Sequence, residues 1–251
     1  MAKVTILGSS NAIPDAQHEN THLAIRGHKS TILVDCAGNP IVRLKQAGVD
    51  LNHLTDLILT HFHPDHVSGV PLLLMGMWLL GRKHSLNIYG LPYTLDRIEA
   101  TMDLYEWKRW PNFFPVAFRR LSEREKTPVL ETEEFRLISS PVRHLIPTIG
   151  LRVEFSGSNK VLAYSCDTEP CPAVIELAAG ADVLIHEATG ASPGHSSPAQ
   201  AAEIARQAEV SRLYLIHYPT GGVDPIPLVE EARRAFAGQV GLAEDFMVLE
   251  F

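Results

Sequence analysis

The sequence has few cysteines, no long basic run and no long hydrophobic run. Its three cysteines are an odd number in 251 residues, which argues against a disulfide framework and for reduced thiols. No run of lysine or arginine exceeds a pair and the formal net charge is −7, so the basic surface typical of nucleic-acid-binding proteins is missing. The longest apolar stretch, near 70–80, is about 11 residues and contains proline and glycine, which is too short to cross a bilayer.

The composition is that of a folded globular protein. Hydrophobic residues make up 45% of the chain and charged residues 20%, which are both ordinary values. A chain of this length can bury the core of one elaborate α/β domain, and we expect a single domain over 1–251. No charged and then apolar signal segment precedes the first strand pattern at Val4, so we expect a cytoplasmic protein.

Short runs rich in apolar and β-branched residues predict ten strands. They are Val4–Leu7, Thr31–Asp35, Leu57–Thr60, Leu86–Tyr89, Phe135–Ser139, Gly150–Phe155, Val161–Ser165, Val183–Glu187, Leu213–His217 and Phe246–Glu250. Helical patterns occur at Pro40–Ala47, Pro92–Tyr105, Ala173–Ala179, Ser197–Glu209 and Pro225–Phe236. The helix at Ser197 has the clearest start, because Ser-Pro-Ala-Gln supplies an N-cap serine and a capping-box glutamine, Gln200. Alternating strands and helices in the second half favour a layered α/β sandwich.

The stretch 71–126 differs from the rest of the chain. It contains all three tryptophans and several prolines, and it has little strand pattern. We interpret it as a mostly helical insertion beside a functional site.

Four metal-binding side chains follow an apolar strand within six residues: His61, His63, Asp65 and His66. Residues two apart on extended backbone point the same way, so His61 and His63 can bind one ion. The turn after Pro64 can bring Asp65 and His66 towards a second ion. With 12 histidines in the chain, this pattern has a chance frequency of about one in a thousand. The segment therefore predicts a metal site.

This His-x-His-x-Asp-His segment resembles the signature of the metallo-β-lactamase superfamily. The resemblance implies a four-layer αβ/βα sandwich and two divalent metal ions, with a later histidine, a bridging aspartate and a final histidine completing the ligand set. The matching positions here are His144, Asp167 and His217. His61, His63 and His144 are then expected to hold one ion and Asp65, His66 and His217 the other, with Asp167 between them. Taken alone, each later residue also fits a structural role, and Asp167 before Thr168 fits a turn or a helix cap.

Further segments resemble ribonuclease Z and its relatives: Leu7–Pro14, Ile32–Cys36, His144–Leu151, and His186-Glu187-Ala188-Thr189 followed by His195-Ser196. In that family the matching glutamate and histidine form a pair that helps to protonate the leaving group, which implies this role for Glu187 and His195. An imidazole held by a carboxylate is also a suitable proton donor on general grounds. The alternative is that the pair only fixes the loop Gly190–Gly194.

The expected chemistry is hydrolysis by a water molecule that two metal ions activate, with Asp65 orienting that water or accepting its proton. Zinc is the expected metal, and the same ligands accept manganese or iron. The resemblance also implies a homodimer, for which the apolar insertion could supply a contact.

The chain departs from transfer-RNA-processing ribonuclease Z. Those enzymes carry a long arm that grips transfer RNA between the positions matching His144 and Asp167, whereas these residues lie only 23 positions apart here (167 − 144). Together with the acidic charge, this disfavours structured RNA as substrate. The sequence therefore predicts a phosphodiesterase acting on small phosphodiesters or single-stranded nucleic acid.

Three alternatives stay open from the sequence. The chain could be a transfer-RNA 3′ endonuclease that holds RNA through another surface. It could hydrolyse a sulfate ester or a lactone, since fold does not dictate substrate. It could also be a metal-binding protein without activity, although the complete ligand set argues against that.

Overall fold

The computed structural model describes residues 1–251. Fourteen strands form two seven-stranded sheets. The first sheet contains β1 (Lys3–Gly8), β2 (His22–Arg26), β3 (Thr31–Val34), β4 (Leu54–Ile58), β5 (Leu86–Gly90), β6 (Val116–Arg120) and β14 (Val248–Glu250). The second contains β7 (Thr127–Glu131), β8 (Phe135–Val142), β9 (Thr148–Phe155), β10 (Lys160–Tyr164), β11 (Val183–Glu187), β12 (Arg212–Ile216) and β13 (Gln239–Leu242).

Seven helices cover the outer faces of the sheets. They are α1 (Pro40–Gln46), α2 (Pro64–Val67), α3 (Val70–Leu79), α4 (Pro92–Leu104), α5 (Pro172–Ala178), α6 (Pro198–Gln207) and α7 (Ile226–Ala235), with short 3-10 turns at Leu51–His53 and Trp107–Arg109. The predicted capping box of α6 is confirmed, because Ser197 accepts a hydrogen bond from Gln200 N and Gln200 accepts one from Ser197 N. None of the helices is long and apolar enough to span a membrane.

Both sheets combine antiparallel and parallel pairing in the same way. In the first, β14, β1, β2 and β3 pair antiparallel, and β3 to β6 pair parallel. In the second, β7 to β10 pair antiparallel, and β10 to β13 pair parallel. Strands β8, β10, β11 and β12 therefore run in the same direction, so their carboxyl ends lie at one edge.

The central strands, such as β3 and β11, are buried on both faces, which explains their nearly continuous apolar sequences. In β3, Ile32 and Val34 belong to the cluster between the two sheets, whereas Leu33 packs in the cluster beneath the helices of the first half. In β11, Val183 and Ile185 face the other sheet in the same way, and Leu184 packs towards the helices of the second half. This alternation gives four layers, helix, sheet, sheet and helix, as the fold prediction stated.

The stretch 71–126 contains more strand than the sequence predicted. It holds most of α3, all of α4 and the turn Trp107–Arg109, but it also provides β5 and β6, the last two strands at one end of the first sheet. The strand pattern at Leu86–Tyr89 was recognised, whereas β6 was missed. Strand β6 is an edge strand that ends in two exposed arginines, so it lacks the apolar run that marks the buried strands.

Candidate metal centre

The first four predicted ligands lie on the loop and short helix that follow β4. His61 Nε2 lies 3.1 Å from His63 Nδ1. The chain turns into α2 at Pro64, and His66 Nε2 lies 3.6 Å from Asp65 Oδ2. The turn that proline starts therefore gathers the four side chains into one cluster, as the spacing predicted.

The other three predicted ligands follow strands of the second sheet: His144 after β8, Asp167 after β10 and His217 after β12. His144 Nε2 lies 3.2 Å from His63 Nδ1. His217 Nε2 lies 3.4 Å from Asp65 Oδ2. The structure thus brings all seven side chains together from four separate parts of the chain.

Five overlapping groups of three potential ligand atoms lie within 4.8 Å of one another in and around the cluster, and two of these groups consist only of predicted ligands. His61, His63 and His144 form the first group, and Asp65, His66 and His217 form the second. Asp167 lies between them, with Oδ2 at 3.9 Å from His61 Nε2 and at 3.4 Å from His217 Nε2. These two groups have the members that the family resemblance implied, and their assignment to two ions stays a prediction.

The second ring nitrogen of four histidines is fixed from outside the cluster. These contacts are His61 Nδ1 to Thr60 Oγ1 (3.1 Å), His66 Nδ1 to Asp35 Oδ2 (2.8 Å), His144 Nδ1 to Gly194 O (2.7 Å) and His217 Nδ1 to Thr189 Oγ1 (2.8 Å). The Asp35 carboxylate and the Gly194 carbonyl can only accept, and the hydroxyls of Thr60 and Thr189 donate their protons to Asp35 and to His217 O, so Nδ1 is the donor in all four contacts and Nε2 faces the cluster. Such outer contacts are typical of metal-binding histidines.

Three of the predicted ligands, His61, His63 and Asp167, have the charge state that a cation requires. Burial and the neighbouring His66 hold the pKa of His61 well below its usual value, and burial also lowers the pKa of His63. Burial raises the pKa of Asp167, but His217 and His66 lower it by a larger amount, so the net pKa is well below the usual range. His66 Nε2 and Asp167 Oδ1 are buried without a hydrogen-bond partner. The pKa of His66 moves the other way: burial lowers it, but Asp167 and Asp35 raise it by more, to well above its usual value. Cation binding at His66 Nε2 would therefore release a proton. The neutral imidazoles of His61 and His63 and the ionised carboxylate of Asp167 fit bound divalent ions directly.

Asp35 is a second-layer residue to which the sequence analysis assigned no role. Its fully buried carboxylate accepts hydrogen bonds from His66 Nδ1, Thr60 N and Thr60 Oγ1, all at 2.8 Å, and Thr60 in turn contacts His61. One carboxylate therefore orients two predicted ligands. The available signal was a charged residue directly after the apolar strand β3, which pairs parallel with β4 and so ends at the same edge.

Three residues at this edge adopt left-handed backbone conformations although they are not glycine. They are Asp35 (φ +60°), Cys166 (φ +54°) and His217 (φ +54°). Each such residue costs about 1–2 kcal/mol relative to ordinary backbone, and such conformations concentrate at functional sites. Here each of the three residues turns the chain sharply where a strand ends. His217 is itself a predicted ligand, and Asp35 and Cys166 lie beside predicted ligands.

Glu187 and His195 lie at the margin of the cluster. Glu187 ends β11 and is fully buried, and its Oε1 lies 3.1 Å from His195 Nδ1. The His195 ring stacks on that of His217, with centroids 5.8 Å apart. Burial lowers the pKa of His195, but Glu187 raises it by a larger amount, so the net shift is upward. The pair predicted from sequence is thus formed, and it stands next to the predicted ligands.

Comparison with known proteins places the chain in a family. Residues 30–218 match the model of the beta-lactamase superfamily domain. The chain therefore belongs to this superfamily, and its two helix-covered sheets are the metallo-β-lactamase fold. It is similar over its full length to the metallo-beta-lactamase fold protein YhfI from Bacillus subtilis, with a TM-score of 0.82 and 24% identity, covering 99% of that chain.

Within the superfamily, the chain lies on the ribonuclease Z-like branch of these hydrolases. It is 30% identical to ribonuclease Z of Methanothermobacter thermautotrophicus over 100% of this chain and 97% of that protein. It is also similar to the short form of human tRNase Z, with a TM-score of 0.79 and 26% identity, covering 99% of this chain and 98% of that one.

The segment between His144 and Asp167 is compact. Strands β9 and β10 fill it and are joined by the short turn 156–159, which leaves no room for an extended arm. The alignment with the archaeal relative extends over 305 positions against 251 residues here, so at least 54 positions (305 − 251) have no counterpart in this chain. The compact segment agrees with the expected absence of an arm between His144 and Asp167.

Proposed function

We propose that this protein is a metal-dependent phosphodiesterase with two divalent ions, zinc being the expected metal. The observation that carries the proposal is the convergence of seven ligand-type side chains, four of which are histidines whose outer nitrogens already have hydrogen-bond partners. His61, His63 and His144 would hold one ion, Asp65, His66 and His217 the other, and Asp167 would contact both. When bound, such ions supply Lewis-acid activation of water and of a phosphoryl oxygen.

The chain itself supplies the proton transfers. Asp65 contacts His217 through Oδ2, and its side chain is 14% exposed. Its other oxygen is therefore available to orient the attacking water or accept a proton. Glu187 holds Nδ1 of His195, so the opposite nitrogen, Nε2, can donate a proton to the departing alkoxide.

The surroundings of the site favour a small or single-stranded substrate. Arg143 is the only lysine or arginine in the five segments that carry the candidate ligands and the pair Glu187 and His195. These segments are 59–69, 142–148, 165–171, 186–197 and 215–223. The Arg143 guanidinium lies 3.9 Å from Glu169, which offsets its charge. A structured RNA makes many phosphate contacts that need basic side chains, and these are scarce here.

A second candidate function is transfer-RNA 3′ processing. It is favoured by the similarity to proteins named ribonuclease Z and tRNase Z. Purified metal-replete protein should be incubated with bis(p-nitrophenyl) phosphate, a single-stranded oligonucleotide and a precursor transfer RNA, with His195→Ala as a control. We expect chelator-sensitive turnover of the first two. Efficient cleavage of the precursor at one defined 3′ site would reverse the ranking, and inactivity on all three would refute the assignment.

We infer further that two copies associate through α3. This helix has no charged residue, and Leu72, Met75 and Leu79 lie on one face with exposures of 53%, 37% and 69%. An uncharged apolar face of this kind is typical of protein contacts. Light scattering should give a dimer for the wild type and a monomer for Leu72→Glu/Leu79→Glu. Leu104→Glu, at an 85% exposed site outside α3, should stay dimeric.

We also assign the protein to the cytoplasm. All three cysteines are buried free thiols, which suits a reducing compartment. Cell fractionation followed by detection of the protein tests this assignment.

A further inference from the structure

Glu169 joins three segments of the candidate metal centre. It lies two residues after Asp167, its backbone N–H donates to Arg143 O at 2.7 Å, and its Oε1 accepts from Gly194 N at 2.9 Å. Arg143 precedes a predicted ligand, and Gly194 precedes the predicted proton donor. A single residue therefore links the segments that carry His144, His195 and Asp167, through its backbone on one side and its side chain on the other.

The peptide unit at Gly194 transmits this contact to His144. The N–H of Gly194 is held by Glu169, and its carbonyl oxygen accepts from His144 Nδ1 at 2.7 Å. Since the carbonyl can only accept, it fixes the proton on Nδ1 and the lone pair on Nε2, which faces His63 at 3.2 Å. The orientation of His144 therefore depends on where the Gly194 carbonyl is held.

We propose that Glu169 is a positioning residue that orients His144 for metal binding by anchoring Gly194. The inference rests on the ligand role given to His144 in the proposed function. Loss of such outer contacts lowers metal affinity by about 10- to 100-fold in other metal sites. The same anchor holds the base of the loop that carries His195, so the proton donor and the first metal group share one support.

The competing explanation is that Glu169 serves only to neutralise Arg143. Their charged atoms are 3.9 Å apart, and the two side chains are 36% and 64% exposed, so solvent screens the pair. The hydrogen bond from Gly194 N to Glu169 Oε1, at 2.9 Å, is shorter than this ion pair, and its donor is a backbone N–H, which cannot rotate away as a side chain can. Arg143→Ala removes the ion pair and leaves the hydrogen bond, and thus separates the two explanations.

Three variants test the proposal: Glu169→Ala, Glu169→Gln and Arg143→Ala. Zinc affinity is measured by chelator competition without substrate. The values of kcat and KM are measured with bis(p-nitrophenyl) phosphate as substrate. We expect Glu169→Ala to lose about tenfold in zinc affinity and in kcat with little change in KM. Glu169→Gln should restore both, because its amide oxygen can accept from Gly194 N. Arg143→Ala should stay within about twofold of wild type.

A measurement on metal-free protein separates failure of this inference from failure of the proposed function. Nitrogen-15 spectra of His144 at pH 8 should show the Nδ1-protonated form in wild type and Glu169→Gln, and a mixture of forms in Glu169→Ala. An unchanged His144 signal and unchanged zinc affinity in Glu169→Ala would overturn the proposal, as would an equal loss in Glu169→Gln. Normal tautomer shifts with no phosphodiester turnover in wild type would instead refute the function alone.

Discussion

Replacing Gly194 by alanine should damage the site far more than it damages the fold. Gly194 has φ +82°, and an added Cβ would lie 2.8 Å from His144 Nδ1 and 2.9 Å from Leu145 Cγ. Leu145 is 63% exposed and can move away. The imidazole would have to retreat from 2.8 Å to at least the 3.4 Å of ordinary contact, which is a shift of about half an ångström at a candidate ligand. Since a misplacement of about 1 Å can cost 100-fold, we expect kcat to fall about 10- to 100-fold.

The effect of Gly194→Ala on stability is estimated separately. Left-handed backbone costs an alanine about 1–2 kcal/mol, and at this chain size each kcal/mol lowers Tm by about 2–4 °C. Gly180→Ala is the matched control, because Gly180 has φ +63° and no atom within 4 Å of an added Cβ. Both variants should lose a similar few degrees in calorimetry, but only Gly194→Ala should lose activity and zinc affinity. Folded Gly194→Ala with kcat within twofold of the control would refute the reasoning.

Three further changes have defined outcomes. Burial lowers the pKa of His22 to about 4 in the folded state, against about 6.5 unfolded. Between about pH 6.5 and pH 4 the imidazole of His22 is therefore protonated in the unfolded chain and neutral in the folded one. The free energy of unfolding falls as the pH drops, by about 2 kcal/mol between pH 7 and pH 5. His22→Gln should reduce this acid sensitivity in urea titrations at pH 7 and pH 5, and an unchanged difference would contradict it. Thr189→Val removes the hydroxyl that lies 2.8 Å from His217 Nδ1, so zinc affinity should fall about tenfold. Thr189→Ser keeps the hydroxyl and should retain the affinity. Equal zinc affinities of wild type and Thr189→Val in a competition assay would show that this contact does not support metal binding. Dialysis against a chelator should abolish hydrolysis and lower Tm, because ligands that bind only the native state stabilise it, and zinc should restore both; an unchanged Tm would argue against the ligand assignment.

The local part of the site could be predicted from the sequence because its geometry is local. Residues two apart on extended backbone share a side, so the spacing of His61 and His63 already implied their contact, and Pro64 marked the turn into α2. The capping box at Ser197 and Gln200 is equally local, and it forms as predicted. Elements whose residues interact within one turn or one strand can therefore be recognised without a fold.

The later ligands could be found only through the family resemblance, because nothing local distinguishes them. His144 and His217 are single histidines after strands, and Asp167 fits an ordinary turn. The second layer was harder still: Thr189 and Asp35 act through hydrogen bonds to ligands 28 and 31 positions away, and Gly194 acts through its carbonyl, which every residue has. The single-domain assignment stays a prediction, supported by an inter-sheet core to which both halves contribute.

The place where the ligands meet follows from strand direction. Strands β8, β10, β11 and β12 run the same way, so the residues that follow or end them, among them His144 and Glu187, gather at one edge of the second sheet. Asp35 and His61 follow β3 and β4, which are parallel neighbours in the first sheet. Each edge alone offers an incomplete set of ligands. Only the packing of one sheet on the other brings His61 Nε2 within 3.9 Å of Asp167 Oδ2, and that packing depends on the apolar core as a whole. A substitution deep between the sheets should therefore alter metal affinity without touching a ligand.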